Sequence, residues 1–153
     1  MPKFDTNRLV RHTPENMFSL VANVEKYPEF LPLCEALKTN SRRERDGKTL
    51  LIADMTVGYK AIRETFTSQV MLDPAALRID VQYLNGPFRY LNNVWTFSDA
   101  KGGCDVGFFI DYEFKSRMLG ILMGSMFDVA FRRFSQAFEE RADQVFGTGV
   151  KPA

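Results

Sequence analysis

The chain has 153 residues, 45% of them hydrophobic, with 20 basic against 19 acidic side chains and a formal net charge of +1. That length and apolar content build one domain with a core of its own, and the near-neutral balance argues against a general nucleic-acid binder, and against DNA as a partner, since either calls for a marked basic excess. Fourteen Phe stand beside one Trp and one His, so apolar surface is plentiful and acid–base side chains are scarce. The opening Met1-Pro2-Lys3-Phe4-Asp5 enters polar sequence at once, unlike a secretory leader. Cys34 and Cys104 lack metal-ligand spacing. Two reduced thiols in a cytoplasmic protein are the expectation, a disulfide between them being the other arrangement.

In chain order, residues 3–11 read as a strand. Thr13 as N-cap and Pro14 at the first helical position open a short helix with Met17, Phe18 and Val21 on one face. It stops near Asn23, and residues 24–32 form a second short helical turn bracketed by prolines. His12, at the strand–helix junction, reads as a surface residue. Beyond Leu33 the pattern turns to β. Residues 36–45 and 48–57 flank Asp46-Gly47, a hairpin signal. Gly58 is expected to separate the second of these strands from a third at 59–72, and Asp73-Pro74 turns the chain. Leu77, Ile79, Val81 and Tyr83 alternate with Arg78, Asp80 and Gln82, the mark of a half-buried strand. After Asn85-Gly86-Pro87 comes a strand at 88–97, and after Lys101-Gly102-Gly103 one at 104–114, in which Val106, Phe108, Ile110, Tyr112 and Phe114 share a side.

The stretch 116–146 carries the strongest signal. Leu119, Leu122, Met123, Met126, Phe127, Ala130, Phe131, Phe134, Phe138, Ala142 and Val145 recur at helical spacing, with Arg132, Arg133, Gln136, Glu139, Glu140 and Asp143 opposite. Ser116 is the expected N-cap and Gly147 the expected stop, for a helix on the order of 40 Å long. From Phe131 onward it is amphipathic, but Met118-Leu119-Gly120-Ile121-Leu122-Met123-Gly124-Ser125-Met126-Phe127 is apolar nearly all round. Such a stretch is either a packed core helix, a pocket wall of adaptable methionines, or a surface for a membrane or partner. It is too short to span a bilayer. Gly120 and Gly124, each costing roughly 1 kcal/mol against Ala, are expected to admit a close approach by backbone or ligand.

The sum is an α+β domain: one strand, two short helices, about six further strands and a long C-terminal helix. Strands joined by short turns are antiparallel, and the inner face of their sheet needs a cover that only the last helix is long enough to give. The gap between sheet and helix is the natural pocket. The domain is expected over residues 1–147, with 148–153 a flexible tail.

Three blocks of the chain also carry a resemblance. Val24-Glu25-Lys26-Tyr27-Pro28-Glu29-Phe30-Leu31-Pro32-Leu33-Cys34 resembles the YPxFLPWC signature of the coenzyme Q-binding, START-like proteins. Leu84-Asn85-Gly86-Pro87-Phe88-Arg89-Tyr90-Leu91 with Trp95-Thr96-Phe97 resembles their second block, and Tyr112-Glu113-Phe114-Lys115 with Phe138-Glu139-Glu140-Arg141-Ala142 their third. Leu33 stands where the family usually has Trp, and Ser116-Arg117 replaces its usual Asn-Pro, keeping the cap and losing the proline. The resemblance implies a helix-grip (START-like) fold, a curved antiparallel sheet of about seven strands wrapped around the C-terminal helix. It implies a hydrophobic cavity and ubiquinone or another prenyl lipid as bound ligand, in support of respiratory electron transport. The same family includes the bacterial ribosome association toxins, which implies a second function, binding the large ribosomal subunit and blocking subunit joining. A cyclase- or dehydrase-like enzyme on the same fold is a third.

The residues themselves offer little for catalysis. His12 is the sole His, so no nucleophile–base pair with His is in view. There is no metal spacing, phosphate loop or dinucleotide fingerprint, and no cofactor is expected. Strand alternation turns Asp80, Asp111 and Glu113 away from the apolar rows. Glu64 shares parity with Ile62, Phe66, Val70 and Leu72 and is read as a rim or ion-paired carboxylate, a polar hook for a ligand oxygen, or an acid. The candidate lining residues are Phe30, Leu31, Leu33 and Phe88 at the motif blocks; Glu64, Phe66, Val81, Tyr83, Leu91, Trp95 and Phe97 from the sheet; and Met118, Leu122, Met123 and Met126 from the helix. Trp95 serves either as core packing or as a broad stacking face with one N–H donor. Partners would be the hydrophobic ligand and a transient membrane-surface or respiratory-complex contact, the protein being cytoplasmic or peripheral at the inner membrane. In the alternative the partner is the ribosome, met by Arg42, Arg43, Arg45 and Lys48 or by Arg132 and Arg133, which otherwise form solvated faces.

Overall fold

Residues 3–147 are described in a computed structural model; the tail expected at 148–153 lies outside them. The order is β1 (Lys3–Val10), α1 (Pro14–Ala22), a 3₁₀ turn (Val24–Glu29), β2 (Cys34–Arg45), β3 (Lys48–Tyr59), β4 (Ile62–Asp73), β5 (Arg78–Asn85), β6 (Phe88–Ala100), β7 (Gly103–Phe114) and α2 (Arg117–Phe146). The seven strands make one curved sheet in the order β1-β7-β6-β5-β4-β3-β2, every neighbouring pair antiparallel. This is the α+β helix-grip architecture.

Local sequence sets the ends of these elements. Thr13 Oγ1 accepts from the Asn16 amide at 3.0 Å, and Ser116 Oγ accepts from the Leu119 amide at 3.1 Å, so each hydroxyl satisfies one free N–H of a first helical turn. Gly147, at φ 97°, ends α2. Asp46 and Gly47 take φ 54° and 78°, the pair of positive values that a two-residue hairpin turn demands. Gly58 does not separate strands. β3 runs through it to Tyr59, and the chain reverses at Lys60-Ala61, with Lys60 at φ 56°. The glycine there leaves room for a neighbour: the Glu35 carboxylate of β2 lies where a Cβ at Gly58 would stand, 2.3 Å from its Oε2.

The inner face of the sheet is the core. Along β7, Cys104, Val106, Phe108, Ile110, Tyr112 and Phe114 are buried while their neighbours are partly exposed, a period of two that follows from the pleat. Phe88 centres an aromatic cluster, stacked on Phe114 at 4.9 Å and edge-on to Phe66 at 5.2 Å. α2 packs chiefly against β7, β1 and α1, so it covers one half of the sheet. The β2–β5 half is met instead by the 3₁₀ turn, at β2, and by α1, at β5.

Two expectations are corrected by packing. His12 is not a surface residue. It is 2% exposed, and its Nε2 lies 2.7 Å from Asp143 Oδ1, tying the β1–α1 junction to the last turns of α2. Of the roles open to the start of α2, its outer face takes the exposed one while its inner face joins the core. Met118, Ile121 and Leu122 are 69%, 74% and 52% exposed, whereas Leu119 packs against the core and Met123 is fully buried, so one face of the segment is inward and the other in solvent. Gly120 and Gly124 admit no close approach: a Cβ at Gly124 would meet nothing within 4 Å, and one at Gly120 only Phe114 at 3.9 Å.

Candidate functional site

Between α2 and the inner face of the sheet lies a cavity of about 100 Å³. Its wall is drawn from every layer: Val24, Tyr27, Leu31, Pro32 and Leu33 from the 3₁₀ turn and the segment after it; Cys34 and Leu37 from β2; Ala53, Met55 and Val57 from β3; Phe66, Ser68 and Val70 from β4; Ile79 and Val81 from β5; Leu91, Asn93 and Trp95 from β6; Phe108 and Ile110 from β7; Phe127, Ala130, Phe131, Phe134 and Phe138 from α2. The space exists because small residues face inward where large ones would fill it. Ala53 and Ser68 are register partners across β3 and β4, and Ala130 is the small residue of the helix wall. The half-buried lining residues Leu33, Leu37, Met55 and Phe134 mark the side on which the cavity meets solvent. Leu33 holds φ 67° there, a left-handed backbone costly for a branched side chain. It is held by its carbonyl accepting from the Gly58 amide at 3.0 Å.

Among the sequence-predicted residues, the wall contains Leu31, Leu33, Phe66, Val81, Leu91 and Trp95. The others lie off it. Phe30 packs edge-on against Tyr27 and Phe138, with the Arg141 guanidinium 5.2 Å above its ring. Tyr83 offers its hydroxyl oxygen to the Phe88 amide at 3.0 Å, and Phe88 is sealed in the aromatic cluster. Phe97 meets Phe18 of α1. Glu64 is half-buried opposite Val57, near the end of β4 and outside the wall. Met123 is buried in the core, Met126 is half-buried, and Met118 and Leu122 point to solvent. The helix wall therefore starts where the expected one ends, at Phe127. The missed residues carried a readable signal in part: Ser68 and Asn93 are polar breaks in the apolar rows Phe66/Val70 and Leu91/Trp95, on the inward side of β4 and β6.

The chemistry of the wall is sparse. Trp95 is 3% exposed, with Phe108 and Phe138 at 4.6 and 5.0 Å. Asn93 Nδ2 donates to the Phe109 carbonyl at 2.8 Å, and Tyr27 donates its hydroxyl proton to the Val21 carbonyl at 2.5 Å. Ser68 Oγ, buried, has no partner among the described residues. The wall's titratable groups are Tyr27 and Cys34. Burial raises the Tyr27 phenol far above its usual range, helped by Cys34, and pushes the Cys34 thiol up to about 11, so both are protonated at neutral pH. Cys34 and Cys104 are free thiols. Among the described residues no three His, Cys, Asp or Glu side chains are placed to hold a metal ion, and no helix is long and apolar enough to cross a membrane.

A curved antiparallel sheet gripping a long helix over an apolar, uncharged cavity is the helix-grip class of fold. Residues 10–139 match the family model described as polyketide cyclase / dehydrase and lipid transport, and the chain belongs to that family. It is 31% identical over 148 residues to the ribosome association toxin RatA of Rickettsia prowazekii, covering 95% of this chain and 99% of that one. It is 32% identical over 142 residues to the mitochondrial coenzyme Q-binding protein coq10 of Schizosaccharomyces pombe, covering 91% and 85%. The solution structure of an 18 kDa protein from Caulobacter crescentus superposes with a TM-score of 0.79 at 33% identity, covering 96% of this chain and 99% of that one.

Proposed function

We propose that this protein binds a prenyl quinone of the ubiquinone kind, or a closely similar ring-bearing lipid, and shelters or carries it for respiratory electron transport without catalysing a reaction. The observation that carries this reading is the cavity, whose wall holds no carboxylate, His or Lys. General acid–base chemistry needs a group that exchanges a proton near the working pH, and both titratable groups in the wall are shifted away from it. That also weighs against a cyclase or dehydrase activity, despite the family's description. Affinity would come from burial. Each buried CH₂ or methyl contributes roughly 0.8 kcal/mol before the cost of ordering the guest, so the part of the ligand inside the cavity supplies most of the binding. The coenzyme Q-binding relative supports the ligand class.

A membrane-derived guest has to be collected at a membrane, and the outer face of α2 suits that task. Met118, Ile121, Leu122 and Val129, all exposed, share one side of the helix, while Lys115, Arg117 and Arg133 beside them have no carboxylate partner among the described residues. The first turn carries no acidic residue, leaving cations at the helix end whose dipole disfavours them. Anionic headgroups would offset that cost while the apolar side chains enter the interface. On this reading the protein is cytoplasmic and peripheral at the inner membrane.

A second reading is ribosome binding, favoured by the toxin relatives at nearly the same identity. The β2–β3 hairpin would supply cations, but Arg42, Arg45 and Lys48 each have a carboxylate nearby, at 3.7, 3.9 and 3.6 Å. Organic extraction of the purified protein followed by mass spectrometry separates the two. A stoichiometric prenyl quinone in the extract is expected. An empty extract, together with salt-sensitive co-sedimentation on large ribosomal subunits that an Arg42/Arg43/Arg45 triple alanine variant loses, would replace the first reading by the second.

A further inference from the structure

We propose that the quinone enters this cavity ring first, with Ser68 Oγ donating a hydrogen bond to one of its carbonyl oxygens and the prenyl tail leaving through the mouth beside Leu33 and Phe134. The proposal rests on the carrier reading above and adds an orientation and a specificity residue to it.

Size gives the first argument. Ligand sites for whole drug-sized molecules run to about 300–1,000 Å³, whereas an engineered apolar cavity of about 150 Å³ binds benzene. The cavity here, about 100 Å³, is smaller still and takes at most the leading, carbonyl-bearing edge of a substituted ring, the rest lying at the mouth, with no room for a chain of many isoprene units. The ring or the tail can occupy it, not both.

Polarity decides which. Three of the polar side chains on the wall are already engaged: Asn93 with the Phe109 carbonyl, Tyr27 with the Val21 carbonyl, and Cys34 with the Ala36 carbonyl at 3.8 Å. Ser68 is 5% exposed, and its hydroxyl lacks any partner among the described residues. The other buried hydroxyls in that state, Tyr112 and Ser135, are not on the wall. A buried hydroxyl left unmatched is unfavourable, so a serine held in an apolar cavity costs stability unless a guest matches it. A hydrocarbon tail leaves it unmatched; a ring carbonyl accepts its proton. Strand alternation puts Ser68 inward with Phe66 and Val70, and the register shifts beside it. Thr67 pairs with Asn85 but Ser68 with Tyr83, so Leu84 is an extra residue on β5, and bulges of this kind re-aim the neighbouring side chains. Ala53, the partner of Ser68 on β3, adds no bulk beside the hydroxyl.

Trp95, the single Trp of the chain, reports on the cavity because quinones quench indole fluorescence. The probes are a tail-less dimethoxy-methyl-benzoquinone, followed by quenching, and pentamethylbenzene, followed by its displacement of that quinone. For Ser68→Ala the expected result is about tenfold weaker quinone binding, equivalent to ~1.4 kcal/mol, with pentamethylbenzene bound as well as before. The guest-free variant should also melt at a higher temperature than the wild type, since the change removes an unmatched hydroxyl and no bond, which a purely structural serine would not show. Equal quinone affinity in wild type and variant overturns the ring-first proposal and leaves the carrier reading standing. Failure of both probes to bind the wild-type protein overturns the carrier reading, and this one with it.

Discussion

The two halves of α2 have similar apolar content and opposite fates. From Phe127 to Phe138 the helix turns its large side chains inward, and Phe127, Phe131, Phe134 and Phe138 wall the cavity. From Met118 to Met126 it places Met118, Ile121 and Leu122 in solvent, while Met123 is fully buried. The later half walls the cavity, and the earlier half leaves its outer face in solvent. Apolar content fixes neither role; what stands across from a side chain does.

The sharpest way to break that comparison is to truncate one aromatic in the later half. Phe138 is 1% exposed and meets Tyr27, Phe30 and Trp95 at 5.3, 5.2 and 5.0 Å. Phe138→Ala should lose about 3–5 kcal/mol of folding stability by urea titration; a loss under about 1 kcal/mol would mean that the cavity end of the helix is as loosely held as its start. In the earlier half, a Met118→Ser, Ile121→Ser, Leu122→Ser variant should stay within about 0.5 kcal/mol per site and keep its affinity for the benzoquinone probe, yet lose flotation with vesicles containing anionic lipid. Retained flotation would assign membrane contact to another surface. The smallest effect belongs to Gly124, where a Cβ meets nothing. Gly124→Ala should raise stability by about 0.5–1 kcal/mol, and a decrease would show that something approaches the helix there after all.

Much of the fold was legible in the residues. Thr13 and Ser116 hold short polar side chains just before apolar helical spacing, Asp46-Gly47 suits a two-residue turn, and the alternation along Val106–Phe114 puts one side of β7 inward. These signals are local, set by backbone geometry over a few residues, so they survive into the structure. Gly58 misled because a glycine serves equally for a turn or for a close neighbour, and Glu35 is distant in sequence. His12 misled for the same reason, its partner Asp143 lying 131 positions away. Of the site, the inward rows of β4 to β6 were readable, which is how Phe66, Val81, Leu91 and Trp95 came to be named. The helix wall was placed about two to three turns too early, since periodicity gives the face of a helix but not its register along the sheet.

The order and kind of the elements, the antiparallel pairing and the supply of apolar surface were determined by the sequence alone, because pattern and turn chemistry act between near neighbours. Only the tertiary structure decided that there is a hollow, where it lies and which groups face it. A cavity is volume that side chains from eight separate segments leave unfilled, here where Ala53, Ser68 and Ala130 come together, and no stretch of sequence carries the shape of what stands opposite.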